Sequence, residues 1–196
     1  MTMTDLTKRD VEGLRGELFH MILFAMAWAL IGEYSLNFSD YVLGAGLVLV
    51  VVICLALYSI KLYNLEDSLR DKVAAAGDTK EIKHDRSYAL ILVFEGVAVL
   101  VTWILVLNFH HKNWLISCFA LIAGLHFFPL ARLIRQNSYY FLGAWICVIA
   151  VAGYLLLSSG KMADYQANTL VAYGCAVGAA VDGIGIMVRA RIAIRG

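Results

Sequence analysis

Charged side chains are scarce in this sequence. Asp, Glu, Lys and Arg make up 16% of its 196 residues, against about 25% in ordinary soluble domains. Their balance is nearly even, at a formal net charge of +1. No basic surface is left over for a polyanion, which excludes a nucleic-acid partner. Proline occurs once, and a low-complexity disordered chain is excluded with it. The four cysteines, Cys54, Cys118, Cys147 and Cys175, form no CxxC pair, so neither a secreted disulfide scaffold nor a zinc ribbon is expected. GxSxG, HExxH, Walker and dinucleotide motifs are all missing, as are a TVGYG-like filter and an Arg-rich voltage sensor. A non-enzymatic protein is therefore the expectation, and no cofactor is named.

Apolar residues fill the space that charge leaves. They reach 61% of the chain, with a mean hydropathy of +0.75. A membrane helix needs roughly 20 mostly apolar residues, and six segments qualify: 17–36, 41–63, 88–108, 113–133, 138–158 and 168–188. The expected fold class is all-α, a polytopic membrane protein with six transmembrane helices in one domain. Ala25-Met26-Ala27 resembles a cleavage site, but the apolar run continues to Ile31, so the first helix is expected to be retained. The cysteines fall inside spans and read as buried thiols.

Lys and Arg set the orientation. With the N-terminus inside, inner segments hold fourteen of the sixteen basic residues, and outer segments hold only Lys112 and Lys161. Both termini are expected to be cytoplasmic, in the plasma (inner) membrane. The inner stretch 64–87 is the one long connection. Leu65, Leu69, Val73 and Ala76 recur there at helical spacing before Gly77, which predicts a short amphipathic helix.

An internal repeat is also legible. Ser39-Asp40-Tyr41-Val42-Leu43-Gly44-Ala45 resembles Ser138-Tyr139-Tyr140-Phe141-Leu142-Gly143-Ala144. Ala29–Gly32 resembles Ala120–Ala123, and Glu95–Val99 resembles Asp182–Ile186. The pairing is first with fourth, second with fifth, third with sixth. Three crossings used twice give an inverted three-plus-three repeat, a transporter-like arrangement.

Ionisable residues inside spans are seldom idle, since each costs at least about 2.5–3.5 kcal/mol at a helix centre. Glu95, His126 and Asp182 lie at similar counted depths below the inner surface, with His20 slightly shallower. They are expected to converge on a proton or cation site. A structural ion pair, with Arg132 as a further partner, and a metal site using His126, Glu95, Asp182 and His20 are the competing readings. No two of those four residues stand at HxxxH or ExxH spacing. Strict inversion would put Glu95 and Asp182 at opposite depths, so repeat and cluster pull against each other. Gly174, Gly178 and Gly185 form a stripe through which the sixth span is expected to pack against a neighbour or a second copy. Pro129, three residues after His126, is expected to kink its helix. Glu33, Asp40, His110, His111 and Asp164 read as an outer wet loop. Trp114, Tyr139 and Tyr140 read as interface anchors.

The first functional expectation is a small transporter or channel-like protein, handling a small solute or ion and governed by protonation of Glu95, His126 and Asp182. A water-filled cavity should then reach them. The alternative is a non-catalytic membrane subunit or scaffold, which predicts a dry bundle with paired charges. A membrane enzyme acting on a lipid stands third and predicts a lateral opening of lipid size. The bilayer, and a homo-oligomeric partner, are the expected surroundings.

Overall fold

The computed structural model describes residues 8–36, 46–73, 85–108 and 112–195. All its regular structure is helical: α1 (Lys8–Ser35), α2 (Gly46–Val73), α3 (Asp85–Asn108), a 3-10 turn at Lys112–Trp114, α4 (Leu115–Ile134), α5 (Asn137–Ser158) and α6 (Asp164–Arg195). Long apolar runs with no interior proline leave the backbone no better way to pair its N–H and C=O groups. Pro129 lies within α4 without ending it.

The helix ends follow local chemistry. Arg135 adopts a left-handed φ of 59° after α4, and the Gln136 N–H donates back to the Ala131 carbonyl at 3.1 Å. That bond closes orphan carbonyls at the helix end and turns the chain directly into α5. Before α6, the Gln166 side chain accepts the Ala163 N–H at 3.3 Å, half of a capping box. The helical spacing at 65–73 belongs to α2, which runs unbroken to Val73. Residues 74–84, with Ala76 and Gly77, lie outside the described residues, as do Asp40, His110, His111 and the Ser39–Ala45 motif.

Pairs across interfaces fix the packing. Glu17 faces Arg189, Met21 faces Gly183, and Gly32 faces Tyr173, so α1 and α6 run antiparallel in one register. Phe127 meets Tyr139 and Trp114 meets Tyr154, which makes α4 and α5 antiparallel. Successive helices thus alternate in direction. They form an arc in the order α2, α1, α6, α5, α4, α3, with the most extensive interface between α1 and α6. α5 lies along α6, whereas α2 and α3 share no comparable interface, so the packing expresses no three-plus-three repeat.

Small residues make the central seams. A Cβ on Gly124 would fall 2.6 Å from Cys147 Sγ, and one on Gly143 would fall 2.8 Å from the Gly124 carbonyl oxygen. Only hydrogen at both positions lets α4 and α5 touch through their backbones. The glycines of α6 differ in what they face. Gly174 and Gly178 receive Ile149 and Trp145 of α5, while Gly185 faces open space. Gly183, outside the stripe, instead receives Leu55 and Met21.

The outside of the bundle is apolar. Leu30, Phe94, Phe141, Val148 and Val181 are all exposed, a surface that water would not tolerate over such an area. Among the described residues, four stretches are long and apolar enough to cross a membrane: Gly13–Ser35, Lys112–Ile134, Asn137–Ser158 and Asp164–Ile192. These features suggest a membrane protein. Three local expectations need correction. Cys54 faces outward, and only Cys175 among the thiols is fully buried. Tyr139 is a core residue rather than an interface anchor. Glu33 is buried rather than part of a wet loop.

Candidate functional site

His126 is placed by the apolar face of α4, which carries Phe127 and Leu130 into the core. Its imidazole lies 4.2 Å, centroid to centroid, from the Phe127 ring. His20 of α1 approaches edge-on at 6.3 Å. From the other side, α3 brings Glu95 to His126, with Oε1 3.3 Å from Nδ1. The ring nitrogens of His126 make no bond of ideal geometry within the protein, although the Ala123 backbone acts on the imidazole. The contact is an ion-pair approach with polar capacity left over.

The pair lies at the floor of a groove between α3 and α4 of about 400 Å³. Leu90, Phe94, Ala98, Ile122 and Leu125 form its walls, and Pro129 borders it. Leu90, Phe94 and Leu125 are exposed, so the groove opens on the apolar flank of the bundle. Glu95 keeps 22% of its side chain exposed, against 5% for His126. The groove's lining is almost wholly apolar, and Glu95 and His126 border it without presenting much polar surface to it. Pro129 has no N–H to give the Leu125 carbonyl, which leaves that acceptor without its usual helical partner.

Asp182 belongs to a different neighbourhood. It lies beside Ser138 and Arg189, in a polar knot that sequence reading missed. Gln136 Nε2 donates to both Glu17 carboxylate oxygens, at 3.1 and 3.2 Å. Arg189 reaches Ser138 Oγ at 3.3 Å and comes within 3.9 Å of Glu17. The knot ties α1, the α4–α5 corner and α6 together at one end of the bundle. Glu17 stands three residues before His20, hence on the same face of α1. Glu95, His126, His20 and Glu17 therefore form a line of ionisable groups running from the groove to the knot.

A second missed contact lies towards the other end. Tyr173 of α6 donates its hydroxyl to Glu33 of α1, and Gly32 provides the flat surface on which the Tyr173 ring rests. A hint was present in the sequence: Glu17 with Arg189 and Glu33 with Tyr173 obey one antiparallel register. Arg132, the expected partner for the buried charges, is exposed. Among the described residues, no three His, Cys, Asp or Glu side chains converge closely enough to hold a metal ion.

Comparison with known proteins gives one match. No curated protein and no solved structure matches the chain. The groove and its Glu95–His126 pair fall wholly within the matched stretch, whereas His20, Asp182 and Arg189 fall outside it. Residues 78–180, more than half of the chain, match the model of a family of unknown function, DUF7010, and the protein belongs to that family.

Proposed function

We propose that this is a small integral membrane transporter or channel-like protein whose gating or coupling runs through protonation at Glu95 and His126. The observation that carries the reading is the contact between that carboxylate and that imidazole, 3.3 Å apart at the floor of a groove. An unshared ion pair facing an opening can exchange protons, and one sealed in a core cannot. His20 and Glu17 extend the pair into a line, which supports a proton route towards one end of the bundle. Asp182 sits at the end of that line, beside Arg189.

The finer topology belongs to the same proposal. α2 and α3 join the four candidate spans as crossings: their apolar stretches, Val48–Asn64 and Val93–Val106, are shorter, but the helices that carry them have 28 and 24 residues and extend about 42 and 36 Å, enough for a core about 30 Å thick. Arg15, Lys61, Arg132, Arg135, Arg189 and Arg191 cluster at one end of the alternating helices, and Lys112 and Lys161 at the other. This supports both termini on the cytoplasmic side of the plasma (inner) membrane. The inverted repeat remains a sequence resemblance, and the outward apolar face of α3 is where a second copy would pack.

One observation favours the alternative of a structural subunit. The Glu33–Tyr173 and Glu17–Gln136 hydrogen bonds are internal ties with no opening, as a scaffold needs. The two readings part in one experiment. The full chain is reconstituted into liposomes carrying an internal pH dye, and an imposed proton gradient is followed. Transport predicts decay about tenfold faster than in protein-free liposomes, with Glu95→Gln back near that baseline. A wild-type rate equal to the protein-free rate would overturn the transport reading and leave the scaffold.

A further inference from the structure

The α3/α4 groove is apolar along its length. Leu90, Phe94 and Ala98 of α3 face Ile122, Leu125 and Pro129 of α4 across it, while Glu95 and His126 turn to one another. It opens sideways through Leu90, Phe94 and Leu125 onto an apolar flank that Val93, Val97 and Leu121 continue. From Leu90 to Ala98, and from Pro129 back to Ile122, it runs roughly 10–12 Å at about 1.5 Å per residue. One leaflet, half of a hydrocarbon core about 30 Å thick, is about 15 Å deep. At the Leu90–Pro129 end the chemistry changes. Arg132 follows Pro129 by about one helical turn and Leu125 by two, on the same stripe of α4. It is exposed, and no described carboxylate pairs with it.

We propose that the groove is a site for an anionic phospholipid, one acyl chain lying between α3 and α4 and the phosphate-bearing headgroup at Arg132. Apolar walls alone give little preference inside a bilayer, because the competing lipid tails are as apolar as leucine. Preference comes from two further features. The concave shape lets one chain touch two helices at once, and the guanidinium can pair with a phosphate through two parallel bonds. Arginine also lays its stem along apolar surface and carries its charge to headgroup level. At about 400 Å³ the groove falls at the small end of ordinary ligand sites, which run from about 300 to 1,000 Å³, and so suits a single chain along its length. A second copy of this protein fits less well, since it would cover Arg132 and would have to bring an acid to meet it. The inference concerns the walls of the groove and its charged end, and it stands whether or not Glu95 and His126 move protons.

The test places the full chain in phosphatidylcholine nanodiscs with a trace of photoreactive lipid. The probe carries a diazirine in one acyl chain and either a phosphatidylglycerol or a phosphatidylcholine head. After illumination, adducts are located by peptide mass spectrometry. Adducts on Leu90, Phe94 and Leu125 should form about fivefold more with the anionic head than with the zwitterionic one, the preference that one arginine near a membrane surface provides. Adducts on Val148 and Val181, exposed on α5 and α6, should form equally with both heads. Arg132→Gln, a change at an exposed position, should bring the groove ratio to about one. Its labelling of Val148 and Val181 should be unchanged, which shows that the variant is folded. Leu125→Trp, which fills the groove, should reduce adducts on Leu90 and Phe94 with either head. A groove ratio near one in the wild type would overturn the proposal and leave the groove to bilayer chains of any kind. So would a ratio that survives Arg132→Gln. Groove residues free of adducts, together with disulfide-linked dimers that form in Phe94→Cys and not in the parent chain, would overturn it in favour of a second copy.

Discussion

Two regions of this molecule each place a glutamate deep between apolar helices, and they treat it differently. On the seam between α1 and α6, Glu33 is 3% exposed and takes a hydroxyl from Tyr173. Further along the same seam, Glu17 accepts two bonds from Gln136 and lies beside Arg189. Each is enclosed and receives a donor from another element, Glu17 on both oxygens and Glu33 on Oε1 but not on Oε2. In the groove between α3 and α4, Glu95 has one imidazole neighbour and an open side. A polar group that is enclosed and holds a donor from a neighbouring helix acts as a tie between helices. One that is half matched and reachable from outside has capacity to spend on a ligand or a proton.

The comparison can be broken from the seam side first, where effects on folding should be largest. Gly178→Leu puts a side chain where a Cβ alone would fall 2.6 Å from the Trp145 ring. It should abolish the monodisperse peak in size-exclusion chromatography, while Val181→Leu on the exposed side of the same helix leaves the peak intact. Equal tolerance at both positions would refute the seam as a close-packed contact. Tyr173→Phe removes the donor to Glu33 and strands a buried carboxylate. A cost of about 1–3 kcal/mol is expected, read as a fall in Tm of roughly 3–10 °C in detergent. Trp145→Phe deletes the 2.9 Å bond from Nε1 to the Gly174 carbonyl but keeps most of the ring. Side-chain hydrogen bonds in membrane proteins average about 0.6 kcal/mol, so a shift of roughly 1–3 °C is expected. Gly185→Ala is the one change expected not to lower Tm: nothing lies within 4 Å of its Cβ, and alanine favours a helix by up to about 1 kcal/mol, so Tm should hold or rise slightly. A clear fall there would reveal that a second copy packs against that position.

The helices were legible because each is an apolar run of membrane length bounded by polar residues. For α4 and α5 the sequence bounds and the structure agree within two residues. Depth was legible for the same reason, and it brought Glu95 to His126. Rotation was not. Counting residues gives height along a helix but leaves its facing open, and α6 turns Asp182 towards Ser138 and Arg189. The same blindness placed Gly185 on a packing stripe it does not share and left Gly183 out of one. Glu33 was misplaced because nearness to a span end reads as exposure, whereas Tyr173 from α6 covers it. Tyr139, likewise near an end, is swallowed by Phe127 where the tight α4–α5 corner folds back.

The central claim is that Glu95 is a site and Glu33 is a tie. It is tested most directly by putting Glu95→Gln and Glu33→Gln through the same pair of assays, thermal unfolding and proton flux in liposomes. Glu95→Gln should abolish flux and hold Tm within about 1 °C, since the amide keeps an oxygen that can face His126 across the same 3.3 Å contact. Glu33→Gln should lower Tm by several degrees while the protein that remains folded keeps its flux. The opposite pattern, with Glu95→Gln unfolding the bundle at undiminished flux per folded molecule, would contradict the account.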